Sequence, residues 1–196
     1  MKSRSKGIHT KENILDAACC LFPEFSYSGL SMSRLAKGVG VTKSLLFYHF
    51  KNKAALYREM LKMAFQGVID SLNILTRSKL PPEEKLQKLI ISYCGKADEF
   101  RNLAKLWFEE SAGQGKAVKG LLREIQGQVV TQFTLVIEEG IEKKRFLRHN
   151  PQEVAATLVS MINGWLRYSL NQPTKEVKKF SQEQLARMLI RGLKSS

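Results

Sequence analysis

Lys43, Ser44, Tyr48, His49, Lys51, Asn52 and Lys53 crowd ammonium, hydroxyl, imidazole and amide groups into eleven positions of the chain. These groups donate hydrogen bonds to phosphate oxygens and to the acceptor edges of bases. The chemistry suited to such a set is the holding and reading of duplex DNA, in which phosphate contacts position the protein and base-edge contacts specify sequence. A structural turn between two packed helices has no use for so many donors.

The elements that must carry them are short. Leu35 and Ala36 are the inward residues of one helix, with Ser31 as its N-cap. Gly38-Val39-Gly40-Val41 breaks the helical pattern, because glycine takes the positive φ that ends a helix without steric cost. Thr42 supplies a hydroxyl to cap the next helix, whose buried side comes from Val41, Leu45 or Leu46, and Phe50. Helix, glycine-bearing turn and capped second helix together describe a helix-turn-helix. The second helix of such a unit enters the major groove with its N-terminal residues forward.

The same stretch sits inside a longer pattern: Ile14-Leu15-Asp16-Ala17-Ala18, Leu21-Phe22, Leu35-Ala36, Gly40-Val41-Thr42-Lys43, Leu46-Phe47-Tyr48-His49-Phe50, then Lys53 and Leu56. From Lys11 to about Met60 it closely resembles the DNA-binding domain of the TetR family of bacterial transcriptional regulators. That resemblance puts Lys43, Ser44, Leu45 and Phe47 at the groove, with the capping Thr42 counted among the DNA-binding residues. It puts Tyr48 and His49 on phosphates, and brings Ser31 and Ser33 to the backbone from the preceding helix. Lys43 then donates to guanine O6 and N7, while Leu45 or Phe47 touches thymine methyls. Lys53 resembles the lysine that opens the long fourth helix, where ammonium and helix dipole together favour an anion. His49 also reads as a packing residue, and Phe47 as partly core.

Two positions depart from the pattern. Pro23 follows Leu21-Phe22 directly, so the first helix, begun at Thr10 or Lys11, is expected to end early. Ser26-Tyr27 stands where the family usually has glycine and an aromatic, which asks Ser26 for a left-handed conformation that glycine adopts more readily.

Composition sets the outer bounds. The 196 residues carry a formal charge of +14 and a pI near 9.8, with 43% apolar residues. Such a charge favours polyanions, nucleic acid first. Residues 1–53 hold nine Lys and Arg against Glu12, Asp16 and Glu24, a net +6, which leaves +8 for the remainder. Met1 to Gly7 reads as a disordered basic tail or arm. Cys19, Cys20 and Cys94 are an odd number without metal-site spacing, which argues against a disulfide framework and for a reducing cytoplasm. No apolar run reaches the roughly 18 to 20 residues needed to span a bilayer. No membrane partner, metal or cofactor is expected.

No stretch alternates with period two long enough for a strand, so the fold class is all-α with about nine helices. Residues 1–53 form the DNA-binding domain and 53–77 a connecting helix. Residues 78–196 form the domain for ligand sensing and dimerisation. Pro81-Pro82 marks the clearest break. Helices then follow over 83–100, 102–111, 116–144, from Asn150 and Pro151 to 171, and from Ser181 to 193. Ser181 and Gln184 stand at capping-box spacing.

One recognition unit reads too few base pairs for specificity, so a homodimer on a palindrome is expected. Val154, Leu158, Met161, Ile162 and Trp165 on one helix, with Leu185, Met188 and Leu189 on the last, form the candidate dimer face; the alternative is that they close the monomer's own core. The resemblance also implies a small-molecule effector. Tyr93, Cys94, Phe100, Trp107, Phe108, Phe133, Met161, Trp165 and Tyr168 are its candidate pocket, or else plain core. Glu109-Glu110 would meet a cationic ligand or pair with surface cations.

Catalysis finds little support. Gly113-Gln114-Gly115-Lys116 glances at a phosphate loop, but Glu110 replaces its first glycine and Ala117 its hydroxyl residue. His9, His49 and His149 have no partners at recognisable spacing. The reading is therefore a dimeric DNA-binding repressor released from its operator by an effector. The rival readings are a sequence-independent DNA-coating protein and, further off, a helical enzyme.

Overall fold

The computed structural model describes residues 3–99, 116–171 and 181–194. It is all-helical, as expected: α1 (Ser3–Gly29), α2 (Met32–Val39), α3 (Lys43–His49), α4 (Lys53–Thr76), α5 (Pro82–Glu99), α6 (Lys116–Glu142), α7 (Pro151–Asn171) and α8 (Gln182–Arg191). The helix anticipated over 102–111 lies outside the described residues. One antiparallel bridge, between Phe146 and Lys194, is the only β pairing among the described residues.

The chain divides into two compact units, and α4 and α6 each contribute residues to both. In the first, α1 packs on α2 and α2 on α3. Its core is built from Ile14, Ala18, Phe22, Leu30, Leu35, Leu46, Phe50, Leu56, Tyr57 and Met60, each no more than 1% exposed. Gly38 allows α2 to come close to α1, since a Cβ there would lie 2.9 Å from Leu21 Cδ1.

The first helix departs from expectation at both ends. It begins at Ser3, where a disordered tail was anticipated, and it passes through Pro23. Proline deprives the Cys19 carbonyl of its partner, but the helical run breaks only three residues later. Fully buried Phe22 anchors that turn, its ring 4.7 Å from the Tyr57 ring and 6.1 Å from the Tyr27 ring. The break falls at Ser26, with φ 57° and ψ 167°. The positive φ is the one the sequence pointed to. The backbone region itself is one that glycine alone enters easily.

In the second unit α5 packs against α8 and α7. Its interior holds Leu86, Leu89, Ile90, Cys94, Val129, Phe133, Val136, Ile137, Ala155, Val159, Ile162, Leu166 and Ala186. Both helix starts read from sequence are built as expected. Asn150 Oδ1 accepts from the Gln152 and Glu153 amides. Ser181 and Gln184 close a full capping box.

Lys85 is the buried charge among the described residues of this unit. Its Nζ donates to the Thr76 carbonyl at 3.0 Å and to Glu139 Oε2 at 2.7 Å, while Lys143 Nζ donates to Glu139 Oε1 at 2.6 Å. Burial pushes the Glu139 carboxyl up, but hydrogen bonds from Lys143 and Lys85 outweigh it and hold the group below its ordinary value.

Candidate nucleic-acid interface

The helix-turn-helix is built by its caps. Ser31 Oγ accepts from the Arg34 amide at 3.1 Å and opens α2. Gly40, at φ 76°, closes it in the left-handed conformation, its amide donating back to the Ala36 and Lys37 carbonyls. Thr42 Oγ1 then accepts from the Leu45 amide at 3.1 Å and opens α3. The Phe50 amide returns to the Leu46 carbonyl at 2.9 Å. Asn52 Oδ1 accepts from the Ala55 amide at 2.8 Å and starts α4. Isolated helices of seven or eight residues are unstable in water, so these side-chain caps and the buried Leu35, Ala36, Leu46 and Phe50 supply what the helices cannot.

With Leu46 turned inward, the rest of α3 faces outward. Thr42, Lys43 and Ser44 are exposed, Phe47 is 44% and Tyr48 81% exposed, and Leu45 and His49 are half-buried. Lys43 Nζ lies 5.9 Å from the Phe47 ring centre. The Tyr48 ring meets His49 edge-on at 5.1 Å, and His49 is 6.2 Å from Phe50. His49 therefore combines the two readings, packed on one side and open on the other. Ser31 and Ser33 are exposed on α2. Arg34, Lys37, Lys43, Lys51 and Lys53 fall between Ser31 and Lys53 with no Asp or Glu among them. The structure thus brings the anticipated DNA-facing residues onto one helix-turn-helix, with Lys53 at the start of α4.

Lys53 differs from the others. Its Nζ donates to the Tyr27 carbonyl at 2.8 Å and lies 4.3 Å from the Tyr27 ring centre. No local signal links residues 26 apart, and sequence reading missed this contact. It also missed Arg34, whose guanidinium stacks on Phe25 at 3.9 Å. A third omission is Lys11, which pairs with Glu59 at 2.6 Å and lies over the Phe50 ring.

In the second unit the candidate pocket residues separate. Tyr93 Oη donates to Asn163 Oδ1 at 2.8 Å, Phe133 meets Tyr93 edge-on at 6.5 Å, and Cys94, next to Tyr93 in sequence, is fully buried. Burial pushes the Tyr93 phenol far above its ordinary value. Asn163 was not anticipated. Met161 and Tyr168, 48% and 67% exposed, do not join this cluster, and Trp165 is half-buried. Phe100, Trp107, Phe108, Glu109, Glu110 and the Gly113–Gly115 segment lie outside the described residues.

The candidate dimer face separates too. Val154, Leu158, Met161, Met188 and Leu189 line an open groove of about 640 Å³ between α7 and α8, together with His149, Asn150, Glu153, Thr157, Gly192 and Leu193. Ile162 and Leu185 do not line it: at 0% and 3% exposure they belong to the unit's own interior. The helical period explains the split, because Ala155, Val159, Ile162 and Leu166 share the inward stripe of α7 while Met161 lies about a third of a turn away.

Comparison with known proteins agrees with this architecture. Residues 14–60 match the family described as bacterial regulatory proteins, tetR family, and residues 79–168 match the tetracyclin repressor-like C-terminal domain. The chain is 25% identical over 145 residues to the probable HTH-type transcriptional regulator YttP of Bacillus subtilis, a match covering 71% of this chain and 69% of YttP. It is 37% identical over 62 residues to IcaR of Staphylococcus epidermidis, the HTH-type negative transcriptional regulator of the biofilm operon icaADBC; that match covers 32% of this chain and 34% of IcaR. The fold resembles the crystal structure of a putative TetR-family transcriptional regulator from Rhodococcus sp., with a TM-score of 0.79 at 18% identity over 95% of this chain and all of that one. The two family models together span well over half of the sequence: the chain is a transcriptional regulator of the TetR family, with a helix-turn-helix DNA-binding domain.

Proposed function

We propose that the protein is a homodimeric repressor that binds a palindromic operator and leaves it when a small molecule binds the C-terminal unit. The observation that carries this reading is the outer face of α3, where Lys43, Ser44, Phe47 and Tyr48 stand exposed on a surface free of acids from Ser31 to Lys53. Lys43 and Ser44, the first two residues of α3, are the base readers, and Leu45 and Phe47 supply apolar contact to thymine methyls. Tyr48 and His49, with Ser31 and Ser33, hold phosphates.

Dimerisation uses the groove between α7 and α8. Met161 and Met188 are about half exposed on its rim, and mating two copies buries apolar side chains that a monomer leaves in water. The effector site in this reading lies near Tyr93 and Asn163, a half-buried hydrogen-bonded pair that suits a ligand with one polar group on an apolar body. Release follows if the effector binds the DNA-incompetent state more tightly, since equal affinity for both states shifts nothing. Repression rather than activation is favoured by the likeness to IcaR, a negative transcriptional regulator.

The test is competition between a selected duplex and a scrambled one at several salt concentrations. Site-specific regulation predicts that the preference persists as overall affinity falls with salt; equal affinity throughout reassigns the protein to sequence-independent DNA coating. Lys43→Ala is expected to cost about 1 to 3 kcal/mol of discrimination at a single base pair of each half-site. Uniform weakening on both duplexes would move Lys43 to a phosphate.

A further inference from the structure

The corner between α1 and α2 holds the one non-glycine residue at positive φ among the described residues of the first unit, and a cation from a distant element is fastened to it. Ser26 adopts φ 57° and ψ 167°, a conformation costly for any residue with a Cβ. Its Oγ accepts from the Gly29 amide at 3.3 Å, so the strained residue also caps the short turn that follows. The next residue, Tyr27, is gripped from three sides. Its ring meets Tyr57 edge-on at 4.9 Å and stacks on Phe22 at 6.1 Å, and the Lys53 ammonium covers it at 4.3 Å. The same ammonium donates to the Tyr27 carbonyl at 2.8 Å. Lys53 is the first residue of α4 and Tyr57 lies one turn further on, so α4 holds the corner through both.

We infer that Lys53 is a positioning residue for DNA binding: it latches the strained Ser26–Tyr27 corner to the first turn of α4, thereby fixing where α2 begins. One proton of its ammonium goes to the carbonyl and the charge faces the ring, so two separate contacts to Tyr27 close the latch. The latch also accounts for a serine surviving where glycine would be unstrained, because the carbonyl that Lys53 holds is the one that follows Ser26. The inference rests on the helix-turn-helix reading of this unit, and its test separates the two.

The test compares the full chain with Lys53→Met, Lys53→Arg, Ser26→Gly and the double variant Lys53→Met/Ser26→Gly. Two quantities are read: melting temperature without DNA, and affinity for a selected duplex across a salt series. A latch predicts that Lys53→Met lowers the melting temperature and weakens binding by about tenfold, the size of a lost charge-assisted hydrogen bond. Lys53→Arg restores most of both, since guanidinium also donates and stacks. Ser26→Gly suppresses the Lys53→Met defect, because a relaxed corner needs no latch and glycine replaces a capping serine at little cost. A phosphate contact without a latch predicts a slope shallower by about 0.9, an unchanged melting temperature and no suppression. That result overturns the inference and leaves the DNA-binding reading intact. Absence of any preferred duplex overturns the DNA-binding reading, and the melting temperatures then decide the latch alone.

Discussion

Helix α3 is seven residues long and buries only Leu46, whereas α7 runs for 21 residues and buries seven side chains. The short helix is held from outside, by Thr42 at its start, by the Phe50 amide at its end and by its neighbours. Its outward side chains are therefore free to carry function, and they are polar, cationic or aromatic. The long helix holds itself through a continuous apolar stripe, and only the edges of that stripe, Val154 and Met161, remain for another surface. Stability and recognition sit on different residues in the first unit. In the second they share one apolar stripe. Substitutions should therefore separate cleanly in the first unit and blur in the second.

The largest expected effect is on the groove. In the proposed dimer Met188→Glu places a charge on each side of a symmetric apolar contact and should cost the pair about 4 to 6 kcal/mol, read as dissociation by sedimentation velocity. A variant that stays dimeric would remove the groove from the interface. Next, Leu46→Ala should destabilise the first unit by about 3 kcal/mol, read by urea unfolding, and abolish DNA binding with every outward side chain of α3 unchanged. Retained binding would mean that α3 does not depend on its one buried residue.

Glu139→Gln should cost the second unit about 2 kcal/mol, less than for a fully buried pair because the Glu139 side chain is 26% exposed. The effect depends on pH with a fixed sign. The native carboxyl lies below its ordinary value, so its contribution is complete above that value and fades as pH falls through the native one. Parent and variant should converge in acid. Smallest is Thr42→Ala, which removes one cap and should cost about 1 kcal/mol of stability, measured by thermal unfolding, and weaken binding in proportion.

Much of this was legible in the sequence because helix boundaries are local events. Ser31, Thr42, Asn150 and the Ser181–Gln184 pair each act within three residues, and each is built as its spacing suggested. The outward set on α3 follows from period and caps alone. Pro23 misled because a local rule was outweighed by the distant Tyr57 ring that fixes Phe22. Lys53 with Tyr27, Arg34 with Phe25 and Tyr93 with Asn163 join separate elements, and no spacing rule connects them. Ile162 and Leu185 show the same limit, since a broad apolar face does not say which of its residues look inward.

The central claim, that two copies present α3 to a specific palindrome, is tested most directly by selecting bound sequences from random duplex DNA at near-physiological salt. The account predicts enrichment of an inverted repeat whose half-sites lie one or more helical turns apart, lost when Lys43 and Ser44 are both replaced by alanine. Tight binding at low salt with no enriched sequence would contradict it.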